Sequence, residues 1–393
     1  MENIHLIISV IFILFFACSI SQQLNATDNL GNNKKIVCYY RYQGNESHRL
    51  TPDQIDVNLC THIILGFAGV HKSEVSYDIE DIPGYRWTVS LKDKNPNLKI
   101  MLSLGGGGNE GGFTEAVSSK ENREKFIESM IKLCRDVKLD GIDLDWEFPV
   151  WRHALGQQNL ADKENLILLL KEFKLASEKE FSENPLLMSV AVAGPKSIVT
   201  VAYDISMMSK YADFINLMSY DYNDYYWYTP YVAHNSPLFK SRREIGYFAT
   251  LNTKWSADYF ISQGMDRSKL MIGLPLYAHT YKLLSRFNTT PGSIATGSGL
   301  GGGGLSYPGV CEFLKNGGTR MFDDEAKVPY AFKNRDWISY DDYESVKIKS
   351  EWTKENNYGG VMTFSLNTDD WKGTCDGKTK FPLMKIIKKI IHE

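Results

Sequence analysis

Three features of the sequence predict a (β/α)8 TIM barrel carrying a small α+β insertion before its eighth strand. Eight β-rich apolar runs recur along the chain, amphipathic segments separate them, and one run alternates acids with apolar residues. Near-continuous apolar strands alternating with helices are the mark of parallel strands covered on their outer face, and eight such units close a barrel.

The runs are "IVCYY" from Ile36, "THIILGFA" from Thr61, "LKIMLSLGG" from Leu98 and "DGIDLDWEF" from Asp140. "LLMSVAVAG" from Leu186, "DFINLMSYD" from Asp213, "LMIGLPLY" from Leu270 and "GGVMTFSL" from Gly359 complete the set. Between them, stretches such as "NREKFIESMIKLCRDVK" repeat apolar residues at helical spacing. The gap before the eighth run is too long for one helix. Within it "SRFNTTPGSIATGSGLGGGG" reads as a flexible loop and "AKVPYAFKNRDWISYDD" as β-rich, so an inserted subdomain is expected over residues 281–343 of a barrel running from 22 to 393. "GSGLGGGG" has no following Lys-Ser/Thr and no strand-to-helix turn, which argues against a phosphate cradle. In "FPLMKIIKKIIHE", Leu383, Ile386, Ile387 and Ile390 form the stripe of a last barrel helix, preferred over a membrane-surface helix.

The fourth run holds the chemistry. In a strand, Asp143, Asp145 and Glu147 share one face, and Ile142, Leu144 and Trp146 share the other. Carboxylates ~7 Å apart at their Cα atoms and facing a barrel interior raise at least one another's pKa, the setting of a general acid. A calcium loop requires a Gly at its sixth position, and bulky residues stand there instead. A solvated edge strand does not fit four large apolar neighbours. Barrel enzymes carry catalytic groups at the C-terminal strand ends, and Gly105 to Gly108, Glu147, Tyr220 and Asp221 all end strands.

With 393 residues, a net charge of -3 and 43% hydrophobic content, the chain suits one large domain with a substantial core. The near-neutral balance leaves no electrostatic footprint for nucleic acid. The 22 Tyr and 8 Trp are mostly core filling, and a remainder serves for stacking on sugar rings. "LIISVIFILFFACSIS" fits a signal peptide over residues 1–21, so a secreted, soluble and monomeric protein is expected, with no membrane partner. Acceptor patterns for N-glycosylation at Asn25, Asn45 and Asn288 suit that compartment. Apart from Cys18, five cysteines remain, an odd number that sequence alone does not pair.

"DGIDLDWE" resembles the DxxDxDxE signature of the family 18 glycoside hydrolases, the chitinases and chitinase-like lectins, with Asp140, Asp143, Asp145 and Glu147 at its four acid positions. "KIVCYY", "THIILGFAG", "SLGGGG", "LMSYDY", "HNSPL" and "VPYAFKNRDWISYDDYES" extend the resemblance over nearly the whole mature chain. It implies disulfides Cys38–Cys60 and Cys311–Cys375, a free buried Cys134, and neither cofactor nor metal. It also implies a substrate-assisted retaining reaction on chitin or chito-oligosaccharides, an exception to the two-carboxylate scheme. Glu147 protonates the glycosidic oxygen and later acts as base on water. The substrate's 2-acetamido carbonyl attacks the anomeric carbon, Asp145 orients the acetamido N–H while sharing a proton with Asp143, and Tyr220 binds the acetamido carbonyl. Around the sugars the resemblance places Tyr39, Phe67, Gly106, Met218, Asp221 and Trp227. Four positions there depart from the family pattern: Gly107 and Phe364 stand where Trp is common, Phe148 where Tyr is common, and His279 where Arg is common. The expectation is a secreted endo-acting chitinase, because inactive relatives usually lose the acid that Glu147 keeps. The alternative is a chitinase-like lectin with little turnover; an endo-glycosidase on N-glycans is disfavoured by the insertion. No separate chitin-binding module is expected after the last barrel helix.

Overall fold

The computed structural model describes residues 34–42, 49–109, 111–151 and 159–393. The expected signal peptide and Asn25 and Asn45 lie outside the described residues.

The strands are β1 (Lys35–Arg41), β2 (His62–His71), β3 (Glu74–Ser76), β4 (Lys99–Gly105), β5 (Gly141–Asp145), β6 (Leu187–Ala193), β7 (Phe214–Met218) and β8 (Leu270–Pro275). They continue with β9 (Tyr277–Leu283), β10 (Ala295–Ser298), β11 (Gly304–Ser306), β12 (Thr319–Asp323), β13 (Val328–Lys333), β14 (Asp336–Ser339) and β15 (Gly360–Phe364). Around the barrel the order is β1, β2, β4, β5, β6, β7, β8, β15, every neighbour is parallel, and β1 closes the ring by pairing with both β2 and β15. These eight are the eight apolar runs of the sequence, and β3 is a short hairpin partner of β2.

Alternation along each strand sorts side chains into two cores. Ile36, Cys38, Tyr40, Ile142 and Leu144 pack outward under the helices, against Phe126, Met130 and Leu133 of the helix Lys120–Val137. Val37, Tyr39, Ile64, Met101, Phe214, Met271 and Met362 fill the interior. That helix starts where the Ser119 side chain accepts the Asn122 N–H, and ends at Lys138 in a left-handed conformation. The last helix, Pro382–His392, buries Leu383, Ile386 and Ile387 as its stripe requires.

Three sequence expectations are corrected here. β5 ends at Asp145, so Glu147 lies just past the ladder instead of inside the strand. The insertion's sheet, in order β10-β9-β14-β13-β12 with β11 also on β9, begins at Tyr277 and not at 281. Tyr277 and His279 therefore belong to its first strand, which follows β8 after a single residue. Finally, the Gly-rich stretch is not one loop: β10 and β11 within it both pair with β9. Gly301, Gly302 and Gly303 at φ 64°, 74° and 114° supply the tight reversal between them.

Disulfides join Cys38 to Cys60 and Cys311 to Cys375, and Cys134 is a buried free thiol. Among the described residues no helix is long and apolar enough to cross a membrane.

Candidate active site

At the C-terminal end of the barrel a cavity of ≈ 490 Å³ opens, lined by residues of β1, β2, β4, β5, β7 and β15 and by the start of β9. Its approach to β5 depends on two glycines. Gly106 donates its N–H to the Asp145 carbonyl at 2.7 Å, and a Cβ on Gly105, at φ 101°, would stand 2.3 Å from that carbonyl oxygen. The glycine end of β4 thus folds over the end of β5, beside the acids.

Asp143 is fully buried beneath the cavity and is saturated with donors from four strands. Its Oδ2 accepts from Tyr39 Oη at 2.6 Å and Ser103 Oγ at 2.8 Å, and its Oδ1 accepts from Ser189 Oγ at 2.6 Å and Asn216 Nδ2 at 3.2 Å. Burial raises its pKa, and these donors offset only part of the rise. Asp145, 3% exposed, has no such support: its Oδ1 is buried without a hydrogen-bond partner among the described residues. Burial first, then the charges of Glu147 and Asp143, push its pKa well up. Both carboxyls of the pair are thus pushed upward, and among the described residues only Asp143 has donors that offset part of the rise. Asp140, the first acid of the motif, is at the opposite end of the barrel, where Lys92 at 2.8 Å and Lys99 at 3.5 Å pair with it.

Phe364 lines the cavity half-buried and neighbours four rings, with centroids at 5.7 Å from Tyr39, 6.5 Å from Phe67, 6.2 Å from Tyr220 and 6.2 Å from Tyr277. Among the described residues the Tyr220 hydroxyl has only the thioether of Met362, at 3.7 Å, as an acceptor. Tyr277 donates its hydroxyl to Asp221 Oδ1 at 2.5 Å, and His279 Nε2 is 2.9 Å from the same oxygen. His279 Nδ1 faces the Asn223 carbonyl at 2.8 Å, so both ring nitrogens meet acceptors. Burial lowers the His279 pKa, but the hydrogen bond and charge of Asp221 outweigh it and the net direction is upward.

Of the residues expected from sequence, Phe67, Gly106, Gly107, Asp145, Glu147, Met218, Tyr220, Asp221 and Phe364 line the cavity together. Tyr39 and Asp143 support it from below, and His279 supports Asp221 from behind. Phe148 does not line it: its side chain is buried in the outer core. Nor does Trp227, which is 82% exposed and packs edge-on against Tyr228. Sequence reasoning missed Arg41, Tyr42, Asn109 and Tyr277 in the lining. Arg41 and Tyr42 end the first strand, so the strand-end rule applied to β1 would have found them.

The profile described as glycosyl hydrolases family 18 matches residues 35–369. Chitotriosidase-1 of Mus musculus is 34% identical over 377 residues, which is 92% of this chain and 79% of that protein. An immunomodulatory active chitinase of Trichuris suis superposes with a TM-score of 0.84 at 32% identity, over 91% of this chain and 99% of the other. Human YKL-39, described as a pseudo-chitinase with retained chitooligosaccharide binding properties, superposes with a TM-score of 0.85 at 32% identity, over 92% of this chain and all (100%) of the other.

Proposed function

This chain belongs to family 18 of the glycosyl hydrolases, and from that premise we propose that it is a secreted, endo-acting hydrolase of β-1,4-linked N-acetylglucosamine polymers that works with retention. The observation that carries the reading is the intact acid row at one cavity, with Asp143 held by four donors beneath it and Asp145 and Glu147 in its lining.

Glu147 gives its proton to the glycosidic oxygen as the substrate's acetamido carbonyl attacks the anomeric carbon. Asp145 accepts the acetamido N–H as a carboxylate and supports the positive oxazolinium, the proton shared by the pair then lying on Asp143. Tyr220, whose hydroxyl donates to a weak sulfur acceptor, turns to the acetamido carbonyl. Glu147 then takes a proton from water, which opens the intermediate on the same face. Two disulfides suit an oxidising compartment, and exposed Asn288 suits glycosylation there.

Glu147→Gln removes the proton donor and leaves the shape. Its expected effect is a fall in kcat of about 10²–10⁴-fold on a chitin hexamer, with calorimetric binding retained. Turnover by the purified variant near the wild-type rate refutes the assignment. One observation favours a second reading, a chitinase-like lectin: Gly107 leaves the wall beside Glu147 without a stacking ring. Wild-type protein that binds the hexamer and leaves it uncut decides for the lectin.

A further inference from the structure

We propose that the wall formed by the ends of β1, β2 and β4 receives a carboxylate carried by an N-acetylhexosamine polymer, with the Arg41 guanidinium as its counter-charge. This rests on the reading of the cavity as a site for such polymers and adds a substrate class to it.

Arg41 is the one Lys, Arg or His among the described residues of the lining, whose other charged groups are Asp145, Glu147 and Asp221. Its main chain is clamped by a single amide: Asn367 Oδ1 accepts the Arg41 N–H at 2.8 Å, and Asn367 Nδ2 donates to the Arg41 carbonyl at 2.9 Å. Its guanidinium has no ion pair or hydrogen bond to a described residue. An arginine anchored by its backbone and unpaired at its head offers a planar fork of donors suited to a carboxylate.

Room lies beside it. Gly66 is the register partner of Arg41 on β2, and a Cβ there would meet nothing within 4 Å. A sugar bearing an extra acidic arm uses both this space and this charge. Asp145, Glu147 and Asp221 all repel an anion, so within the lining a carboxylate is drawn to Arg41 and away from the acid row. The sugar at the cleaved bond keeps its acetamido group, because its carbonyl is the nucleophile of the proposed reaction. The carboxylate therefore belongs to a neighbouring unit, in polymers where N-acetylglucosamine alternates with a lactyl-ether sugar or with a uronic acid. Water splits the same glycosidic bond in either case.

The test is calorimetry on Glu147→Gln protein with three hexamers: neutral chitin, one alternating with the lactyl ether, and one alternating with uronic acid. At least one acidic hexamer is expected to bind about tenfold tighter than the neutral one at low salt, with the preference shrinking as salt rises. Adding Arg41→Gln removes that preference, and Arg41→Lys retains part of it. Equal binding of acidic and neutral hexamers, or a preference that survives Arg41→Gln, overturns the inference. Failure of the underlying reading is distinguishable, since then the neutral hexamer is neither bound nor, by wild-type protein, cut.

Discussion

Phe364 and Gly107 are the two positions at which single residues decide how strongly a sugar is held. Stacking on an aromatic face grows with ring area, and here one site has phenyl in place of indole and the other has no side chain. Tyr39 and Phe67 both reach Phe364, yet they share the floor with it and do not replace the missing wall. Gly107 has no left-handed φ, and the nearest neighbour to an added Cβ is at contact distance, so a side chain can start there without strain at its Cβ. Gly107→Trp combined with Phe364→Trp is therefore expected to bind chitin hexamer about tenfold more tightly, ~1–1.5 kcal/mol. Weaker binding by a folded double variant in calorimetric titration would show a site already built around its smaller residues.

At the scale of elements, the insertion and the barrel are locked by one buried charge. Lys349, fully buried on the helix Tyr343–Glu355, pairs with Asp341 at 2.7 Å and donates to the Ser236 carbonyl at 2.5 Å and its hydroxyl at 3.0 Å. Those partners come from the segment after β14 and from the long connection between β7 and β8. Burial lowers the lysine pKa and raises that of Asp341, and their mutual attraction opposes both. Removing one partner leaves a buried ion alone, so Lys349→Met should cost roughly 3–5 kcal/mol in denaturant unfolding. Adding Asp341→Leu should recover most of that loss; a single variant as stable as wild type contradicts the lock.

For the whole molecule, the acid limit of stability is set partly at the end of the barrel remote from the cavity. His62 starts β2, with its ring edge-on to Phe214 at 5.2 Å and its Nδ1 2.8 Å from the Thr61 hydroxyl. Burial first, then Lys35 and Lys99, lower its pKa to about 4. The unfolded chain takes up this proton near pH 6.5 while the fold resists it down to about pH 4. Stability is thus full above pH 6.5 and is lost as pH falls toward 4, by roughly 3 kcal/mol. His62→Gln should flatten that part of the curve when unfolding free energies at pH 7 and pH 4 are compared; an unchanged slope excludes His62 as the cause.

What the sequence determined by itself was local and periodic. The alternation in "GIDLD" settles which side chains face the helices and which face the interior, because a strand has no other choice once its apolar face is buried. Eight such strands with intervening helices leave few architectures open. The family signature located the acids, although it could not say that Asp140 serves the far end of the barrel or that Glu147 falls beyond the ladder. What only the tertiary structure decided was who meets whom. Asp143 is saturated because Tyr39, Ser103, Ser189 and Asn216 arrive from β1, β4, β6 and β7 at one level of the closed ring. Arg41 faces the cavity while Trp227 stays in solvent, and Tyr277 reaches Asp221 because the insertion's sheet starts straight after β8. Such meetings depend on register and ring closure between residues far apart in the chain, and no local pattern encodes the relative height of two strands that are not neighbours.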